Sequence, residues 1–278
     1  MITRFAPSPT GLLHLGHAYA AKVAHDLARR EDGRFLLRFE DIDHTRTRPG
    51  YYGAMEDDLR WLGLAWDGPV LRQSSRTAAY ESALGQLTAL GAVYPCFCTR
   101  REIEEEVARM TNAPHGPEGP LYPGTCKRLT PEERQAKLEA GAQPAWRLDA
   151  SLAVGITGPL RFHDLLHGPR PVDADVLGDV VLARKDIGSS YHLAVTVDDA
   201  FQEVTHVTRG EDLLPSTHVH RVLQALLGFP EPVYCHHALV TDDEGQRLAK
   251  RHDSLSIRHL REQGETPESI LALLPPCI

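Results

Sequence analysis

The feature that most constrains the fold is an alternation of strand and helix patterns in the first part of the chain. The apolar stretch ITRFA and the turn PSPTG come first, and apolar residues then recur on one helical face from His14 onwards. RFLLRF follows as a near-continuous apolar run, which is typical of a strand buried on both sides. Helical patterns come next at 56–64 and 77–90, and we expect Ser74 or Ser75 to open the second. This alternation predicts an α/β fold with a parallel sheet and crossover helices.

The pattern changes after Ala92 and returns near residue 179. Two helix starts lie between these points: Thr99 and Glu102 in TRREIEEE have capping-box spacing, and Thr130 in LTPEERQ is the expected cap with Glu133 at the third helical position. A stretch at 111–126 is rich in proline and glycine. Strand patterns then resume in DVVLAR, EVTHVTRG and VYCHHALV, with the amphipathic helix HVHRVLQALLG among them. We therefore predict an inserted α+β subdomain over 96–178, between two halves of the α/β domain at 1–95 and 179–278.

Composition narrows the class of protein. The chain has 278 residues, of which 42% are hydrophobic, enough for a proper core. A run of about 18 apolar residues, which a membrane span needs, does not occur, and the N-terminus lacks the apolar stretch of a signal peptide. A cytoplasmic protein is the simplest interpretation. The formal net charge of −8 argues against bulk electrostatic binding of nucleic acid, although a local basic surface can coexist with it.

Three of the five cysteines cluster in the predicted insertion. Cys96, Cys98 and Cys126 suggest a metal site, because such a cluster in a cytoplasmic chain favours metal over disulfides. From chemistry alone His115 is the obvious fourth ligand of a tetrahedral site, and reduced, unliganded thiols are the alternative. Cys235 and Cys277 are expected to be ordinary thiols.

The string His14-Leu15-Gly16-His17 stands where the first turn enters a helix. Residues three apart share one side of a helix, and the N-terminal end of a helix is electropositive and suits a phosphate. Gly16 leaves room for a ligand to approach the backbone, and two imidazoles can donate to oxygens that gain charge in nucleotidyl transfer. Two exposed histidines on an ordinary helix cap are the alternative.

Two further charged stretches extend this hypothesis. LRFEDIDHTR places Arg38, Glu40 and Asp41 at the end of a buried strand, where ligands bind in doubly wound sheets. A salt-bridged strand exit is the alternative. RLAKRHDS offers Lys250 between basic neighbours, and such cations can clamp a leaving pyrophosphate. A solvated basic loop is the alternative there.

Together and in this order, these stretches resemble the glutamyl-tRNA synthetases of class I. RFAPSPTGLLHLGH is similar to their N-terminal signature, LRFEDIDHTR to their second signature, and RLAKR to their KLSKR version of the "KMSKS" motif. The resemblance covers nearly the whole chain. It departs from the family at Arg247 and Ala249, where the family has lysine and serine, so the loop keeps its charge but loses one hydroxyl.

The chain stops soon after RLAKR, whereas a full glutamyl-tRNA synthetase continues into anticodon-binding domains. That truncation is typical of the glutamyl-queuosine tRNA(Asp) synthetases, which activate glutamate with ATP and transfer it to queuosine in the anticodon of tRNA(Asp). The resemblance therefore implies a ligase with a Rossmann-like class I catalytic domain, an inserted zinc-binding subdomain and no anticodon-binding domain. The alternatives are a glutamyl-tRNA synthetase fragment that charges the tRNA 3′ end, and a catalytically silent paralogue that binds glutamate, adenylate or RNA.

The resemblance also assigns roles to individual residues. The expected partners are L-glutamate, ATP with Mg²⁺, structural Zn²⁺ and the anticodon loop of tRNA(Asp), for a monomer without contact to a membrane. The implied glutamate-binding residues are Arg4, Ala6, Ser8, Glu40, Tyr191 and Arg209. The implied ATP-binding residues are His14, Gly16, His17 and Lys250, of which His14, His17 and Lys250 are catalytic. The implied zinc ligands are Cys96, Cys98, Tyr122 and Cys126, with the tyrosine in the place that chemistry alone gives to His115.

Overall fold

The computed structural model describes residues 1–109, 115–116, 119–173, 176, 178–240 and 256–276. The strands are β1 (Ile2–Phe5), β2 (Arg34–Phe39), β3 (Leu71–Arg72), β4 (Val93–Cys96), β5 (His115–Gly116), β6 (Gly119–Pro120), β7 (Ala145–Leu148), β8 (Arg161–Asp164), β9 (Gly168–Pro171), β10 (Val181–Ala183), β11 (His206–Gly210) and β12 (Val233–His237). The helices are α1 (Leu15–Arg30), α2 (Pro49–Trp61), α3 (Thr77–Ala89), α4 (Arg100–Arg109), α5 (Pro131–Glu139), α6 (Ala150–Thr157), α7 (Tyr191–Phe201), α8 (Leu214–Leu227), α9 (Ile257–Glu262) and α10 (Pro267–Ala272).

The main sheet is parallel through its centre. β1 pairs with β2, and β2 with β3, all in parallel, while β11, β12 and β8 form a second parallel run with β9 antiparallel at its edge. The two runs meet where β1 lies beside β11, and the backbone N–H of Thr205 donates to the Ile2 carbonyl at 3.0 Å. The predicted parallel α/β sheet is therefore confirmed.

The junction of β1 and β11 is the point at which the strand order reverses. From β1 the chain winds outwards through α1 to β2, and from β11 it winds in the other direction through α8 to β12. In open α/β sheets ligands bind in the crevice beyond the carboxyl ends of the strands at such a point. Arg4 near the end of β1 and Arg209 near the end of β11 flank this crevice.

Helix α1 covers the face of the sheet next to the crevice. Ala18, Tyr19, Val23 and Ala24 are buried in one core cluster with Phe35, which comes from β2. Tyr19 and Val23 lie on the helical face that the sequence predicts to be apolar, and the burial of this cluster fixes the helix against β1 and β2. The N-terminus of α1 consequently lies at the carboxyl end of β1.

A smaller antiparallel sheet has the order β10-β7-β4. β7 lies inside the predicted insertion, whereas β4 and β10 lie mostly outside it, and β8 of the insertion pairs with β12 of the main sheet. The segment 96–178 thus shares strands with both sheets, and the division at these boundaries stays a prediction.

Local helix signals are confirmed with one correction. Thr99 with Glu102 and Thr130 with Glu133 form the predicted reciprocal caps of α4 and α5. The expectation that Ser74 or Ser75 caps the helix over 77–90 is wrong, because both residues belong to a short 3₁₀ turn and Arg76 is the N-cap of α3. Within the described ranges, no helix has the length and apolar character needed to cross a bilayer.

Candidate active site

Two buried arginines meet one carboxylate at the carboxyl ends of β1 and β2. Arg4 pairs with Asp199 through Nε at 2.9 Å and Nη2 at 3.3 Å, and its Nη1 donates to the Thr208 carbonyl at 3.1 Å. Arg38 donates from Nη1 to Asp199 Oδ1 at 2.7 Å and from Nη2 to Glu40 Oε1 at 3.3 Å. Asp199 on α7 therefore joins Arg4, the first predicted glutamate-binding residue, to the strand exit that carries Glu40.

The charged side chains of this group, together with burial, shift the pKa values of the two carboxyl groups. Burial alone would raise the pKa of Asp199, but the guanidinium groups of Arg4 and Arg38 outweigh it and lower that pKa. For Glu40 burial is the stronger effect and raises the pKa, although Arg38 and Arg4 act against it. Among Asp199 and Glu40, only Glu40 has a raised pKa, and a cationic ligand beside it would favour its ionised form.

Arg209 has a different set of partners. Its Nε donates to His236 Nε2 at 3.2 Å, Nη1 to Tyr191 Oη at 3.2 Å and to His220 Nδ1 at 3.1 Å, and Nη2 to Thr217 Oγ1 at 2.5 Å. The residue is only 5% exposed, and none of these four partners carries a negative charge. Within the described part of the chain, Arg209 is thus a buried cation whose hydrogen bonds go to neutral groups.

These hydrogen bonds fix the tautomers of two histidines. Because Arg209 is always a donor, His236 must accept at Nε2, and its Nδ1–H then donates to Asp164 at 2.5 Å. His220 accepts at Nδ1 in the same way, and its Nε2–H donates to His192 Nδ1 at 3.1 Å. Burial first, and then the charge of Arg209, lower the pKa of His192 to about 4, and burial lowers that of His236 to about 4 despite Asp164. The imidazoles around Arg209 are therefore neutral at physiological pH.

His14 and His17 cap α1 with their own side chains. The N–H of Gly16 donates to His14 Nδ1 at 3.2 Å, the N–H of His14 donates to His17 Nδ1 at 3.4 Å, and the ring centroids lie 3.8 Å apart. Since both Nδ1 atoms accept, the proton of each neutral ring sits on Nε2. A Cβ on Gly16 would lie 3.1 Å from His14 Cε1, so a larger residue there would press on the ring.

Other predicted site residues fall around the same crevice or outside the described residues. Ala6 and the exposed Ser8 lie in the loop after β1, which is tied to the exit of β2 by the bond from Glu40 N to the Pro7 carbonyl at 3.0 Å. Lys250, Arg247 and Ala249 lie outside the described residues. Ser256, a few residues later in the sequence, forms a backbone bridge with His14.

The predicted metal ligands come together at the end of β4. The Sγ atoms of Cys96, Cys98 and Cys126 all lie within 4.8 Å of one another. Tyr122 Oη is 3.4 Å from Cys96 Sγ and 3.5 Å from Cys98 Sγ, and the N–H of Phe97 donates to Cys126 Sγ at 3.3 Å. In a tetrahedral zinc site the Zn–S bonds are about 2.3 Å long, which places two thiolate sulfurs roughly 4 Å apart. The donor set of this cluster therefore fits zinc. The side chain of the alternative ligand His115 lies outside the described residues.

Nearly the whole chain matches one known family. Residues 1–275 match the family model described as tRNA synthetases class I (E and Q), catalytic domain. The chain belongs to this family. The prediction of a ligase with a class I synthetase catalytic domain is therefore confirmed.

Individual relatives refine the family assignment. A glutamyl-Q tRNA(Asp) synthetase of Rhodobacter capsulatus is 52% identical over 99% of both chains. A glutamate–tRNA ligase 2 of Nitrosococcus oceani is 42% identical over 96% of this chain and 57% of its own length. The glutamate-tRNA synthetase of Elizabethkingia anophelis superimposes with a TM-score of 0.78 at 29% identity, and this chain covers 95% of itself and 54% of that structure. The chain thus spans about half the length of that solved synthetase, and the resemblance to the glutamyl-queuosine tRNA(Asp) synthetases is confirmed.

Sequence reasoning missed several residues of the site, because their signals are weak or absent. Asp199 stands in an unremarkable helical stretch, and Asp164, Thr217, His220 and His236 are scattered over more than seventy positions. The adjacent pairs Asp198-Asp199 and His236-His237 were the available signals, because paired acids or imidazoles inside apolar elements are costly to bury without partners.

Proposed function

We propose that this family member activates L-glutamate with ATP and transfers it to queuosine in the anticodon of tRNA(Asp). The observation that carries the glutamate part is Arg209, which is buried, is held by four neutral partners and has no anionic partner among the described residues. A buried guanidinium is stabilised by a carboxylate, and a substrate with an extra carboxylate supplies one. Glutamine, which offers an amide at the same position, leaves the charge uncompensated.

The donors around Arg209 suggest how the carboxylate is held. A guanidinium has five N–H groups, and the four bonds described above leave one on Nη2. Tyr191 accepts from Arg209, which leaves its own O–H to donate, and burial raises the pKa of this phenol so that it stays protonated. One N–H of Arg209 and the O–H of Tyr191 would thus bind the two oxygens of the side-chain carboxylate, while Glu40 faces the substrate ammonium group.

The first chemical step forms glutamyl-adenylate. The α-carboxylate of glutamate attacks the α-phosphorus of ATP, the bond to the β-phosphate oxygen breaks and pyrophosphate leaves. The attacking carboxylate is already ionised at neutral pH, so no base is required. We assign His14 and His17 to stabilise the charge that develops on the phosphate oxygens through their Nε2–H groups at the positive end of α1. Lys250 would hold the departing pyrophosphate, with Mg²⁺ entering as part of the ATP substrate.

In the second step a hydroxyl oxygen of the acceptor attacks the glutamyl carbonyl carbon, the bond from that carbon to the phosphate oxygen of AMP breaks, and AMP leaves with the bonding electrons while its phosphate takes up the hydroxyl proton. The relative from Rhodobacter capsulatus, named for glutamyl-Q tRNA(Asp), supports queuosine as the acceptor because it matches over 99% of both chains. The glutamate–tRNA ligases support the rival acceptor, the 3′ end of a tRNA, at a lower identity of 42%.

We further propose that Cys96, Cys98, Cys126 and Tyr122 hold a structural zinc ion. Three thiols and a phenol converge there, and burial raises the pKa of Cys98 to about 12, so its thiolate form needs a cation beside it. Bound zinc would cross-link β4 to the 3₁₀ turn at Thr125–Arg128.

The test uses purified protein with glutamate, ATP and two tRNA preparations. We expect ATP–pyrophosphate exchange with glutamate in the absence of tRNA, and transfer of labelled glutamate to tRNA(Asp) that contains queuosine. Transfer should persist on tRNA that lacks its 3′ adenosine. Equal labelling with and without queuosine, or loss of labelling without the 3′ adenosine, would favour the tRNA 3′ end. Absence of exchange would favour a catalytically silent paralogue.

A further inference from the structure

Three titratable side chains stand in a row across neighbouring strands of the main sheet. β11 pairs with β12 and β12 with β8, all in parallel, and Arg209 lies opposite His236 in the register of the first pair. Asp164 ends β8 on the other side of β12. All three side chains are buried. The order Asp164, His236, Arg209 therefore leads from the predicted insertion to the proposed glutamate site.

Asp164 is held by four N–H donors. Its Oδ1 accepts from the backbone N–H groups of Leu166 and His167, both at 2.9 Å. Its Oδ2 accepts from the backbone N–H of His236 at 3.2 Å and from the ring Nδ1 of His236 at 2.5 Å. Burial would raise the pKa of Asp164, but the hydrogen bonds from His236, Leu166 and His167 outweigh it and lower that pKa. The backbone bonds thus hold a carboxylate, which can accept but not donate, against the ring.

The far side of the His236 ring serves two donors. With the ring proton on Nδ1, Nε2 carries a lone pair, which faces Arg209 Nε at 3.2 Å and Thr217 Oγ1 at 2.9 Å. Thr217 Oγ1 in turn accepts from Arg209 Nη2 at 2.5 Å, so its own proton is available to Nε2. The three side chains form a closed set in which each of these donors meets an acceptor.

The opposite tautomer of His236 would break this set. A proton on Nε2 would point at the Nε–H of Arg209, and the hydroxyl of Thr217 would lose its acceptor. Buried donors without acceptors are costly, so the guanidinium would turn away from the ring. The N–H on Nη2 that we assign to the substrate carboxylate belongs to the same planar group and would move with it. The tautomer of His236 therefore decides where Arg209 presents its charge.

We propose that Asp164 is a positioning residue for glutamate recognition. By accepting the Nδ1–H of His236, it keeps the Nε2 lone pair on Arg209 and so fixes the direction in which the guanidinium meets the substrate carboxylate. This inference rests on the proposed function and adds to it a residue that does not touch the substrate. It also gives β8, which lies in the predicted insertion, a part in substrate binding.

The test replaces the carboxylate by an amide of the same shape. In Asp164→Asn the amide oxygen can accept from Leu166 and His167, and the NH₂ group then faces His236 Nδ1, which must accept and leaves the ring proton on Nε2. We expect KM for glutamate in ATP–pyrophosphate exchange to rise by about 10- to 150-fold, the range for a hydrogen bond to a charged group. The kcat should stay within about threefold, because the side-chain carboxylate is not the reacting group. Asp58→Asn, at another buried aspartate on α2, is the matched control and should change neither value.

A spectrum and a second variant separate this role from a structural one. NMR of the histidine ring nitrogens should place the His236 proton on Nδ1 in the unmodified protein and on Nε2 in Asp164→Asn, and His236→Gln identifies the signal by its absence. The amide oxygen of that glutamine can accept from Arg209 without help from Asp164. Adding Asp164→Asn to His236→Gln should therefore change KM for glutamate by less than about twofold.

Each other outcome has a distinct meaning. An unchanged KM in Asp164→Asn overturns the inference and leaves the proposed function intact. An equal rise of KM with and without His236→Gln also overturns it, because Asp164 would then act on the fold and not through the ring. A His236 proton on Nε2 in the unmodified protein overturns it even if Asp164→Asn does not fold. If the unmodified protein shows no glutamate-dependent exchange, the proposed function fails and the inference fails with it.

Discussion

The Tyr191→Phe substitution tests how the site distinguishes glutamate from glutamine. Phenylalanine keeps the edge-on ring contacts of Tyr191 with His192 and His220, at centroid distances of 5.4 Å, and removes only the hydroxyl. That hydroxyl accepts from Arg209 Nη1 at 3.2 Å and, in the proposed complex, donates to the substrate carboxylate. The fold should therefore be preserved, while one of the two donors to the substrate is lost.

The magnitude follows from the charge of the substrate group that accepts the lost hydrogen bond. A hydrogen bond to a charged group contributes about 1.5–3 kcal/mol, so kcat/KM for glutamate should fall by about 10- to 150-fold. The same hydroxyl facing the neutral amide of glutamine is worth about 0.5–1.5 kcal/mol, or about 2- to 13-fold. The preference for glutamate over glutamine should thus fall by about tenfold. ATP–pyrophosphate exchange at varied amino-acid concentration measures both values.

The control is Tyr51→Phe on α2, a half-buried tyrosine away from Arg209. It should leave both rates unchanged. If Tyr191→Phe reduces exchange with glutamate and glutamine by the same factor, its hydroxyl positions Arg209 or the backbone rather than the carboxylate. A change below twofold with glutamate would show that the hydroxyl does not contact the substrate at all.

Further expectations concern pH, a buried acid and the metal site. The pKa values of His192 and His236 are lowered to about 4 from an ordinary 6.5. Between these values the unfolded chain therefore binds more protons than the folded chain, which destabilises the fold on acidification. Urea unfolding should show the free energy of unfolding falling from pH 6.5 towards pH 5. Burial raises the pKa of Asp58 to about 6, so the charged form of this side chain destabilises the fold above that pH. In the same assay, Asp58→Asn should increase the free energy of unfolding by up to about 3 kcal/mol at pH 8 and by little at pH 4. Purified protein should carry one zinc per chain by elemental analysis, and Cys126→Ser should reduce both the zinc content and the melting temperature, whereas Cys235→Ser should leave the zinc content unchanged.

The elements that sequence reasoning predicted well are those whose signals are local. α1 and β2 depend on apolar spacing within a single stretch, and the caps at Thr99 and Thr130 depend on residues three positions apart. The expectation that Ser74 opens the helix is wrong because of a contact with a residue that is distant in the sequence. The hydroxyl and N–H of Ser74 are both engaged by Asp41, thirty-three positions earlier, which draws the chain into a 3₁₀ turn before the helix begins.

The proposed zinc ligands show a different limit of sequence reasoning. The cysteines could be predicted from their chemistry, but Tyr122 entered through the family resemblance. In the structure Tyr122 Oη accepts from the N–H of Cys126 at 2.8 Å while it lies against two thiols. That backbone bond holds the phenol oxygen in the cluster, and residue spacing alone does not reveal it.

The contrast among the three buried arginines explains why the substrate is expected at one of them. Arg4 and Arg38 share Asp199, and Arg38 also reaches Glu40, so the protein itself supplies the charges that make their burial possible. Arg209 is as deeply buried as Arg4, yet the described residues give it imidazoles and hydroxyls instead. His236 is kept neutral by burial and is oriented by its hydrogen bond to Asp164, so this carboxylate acts through a histidine and does not bind the guanidinium directly. A direct carboxylate partner would satisfy Arg209 and weaken the binding of an acidic substrate. Interposing neutral groups keeps the geometry of the guanidinium fixed while leaving its charge to be compensated by the ligand.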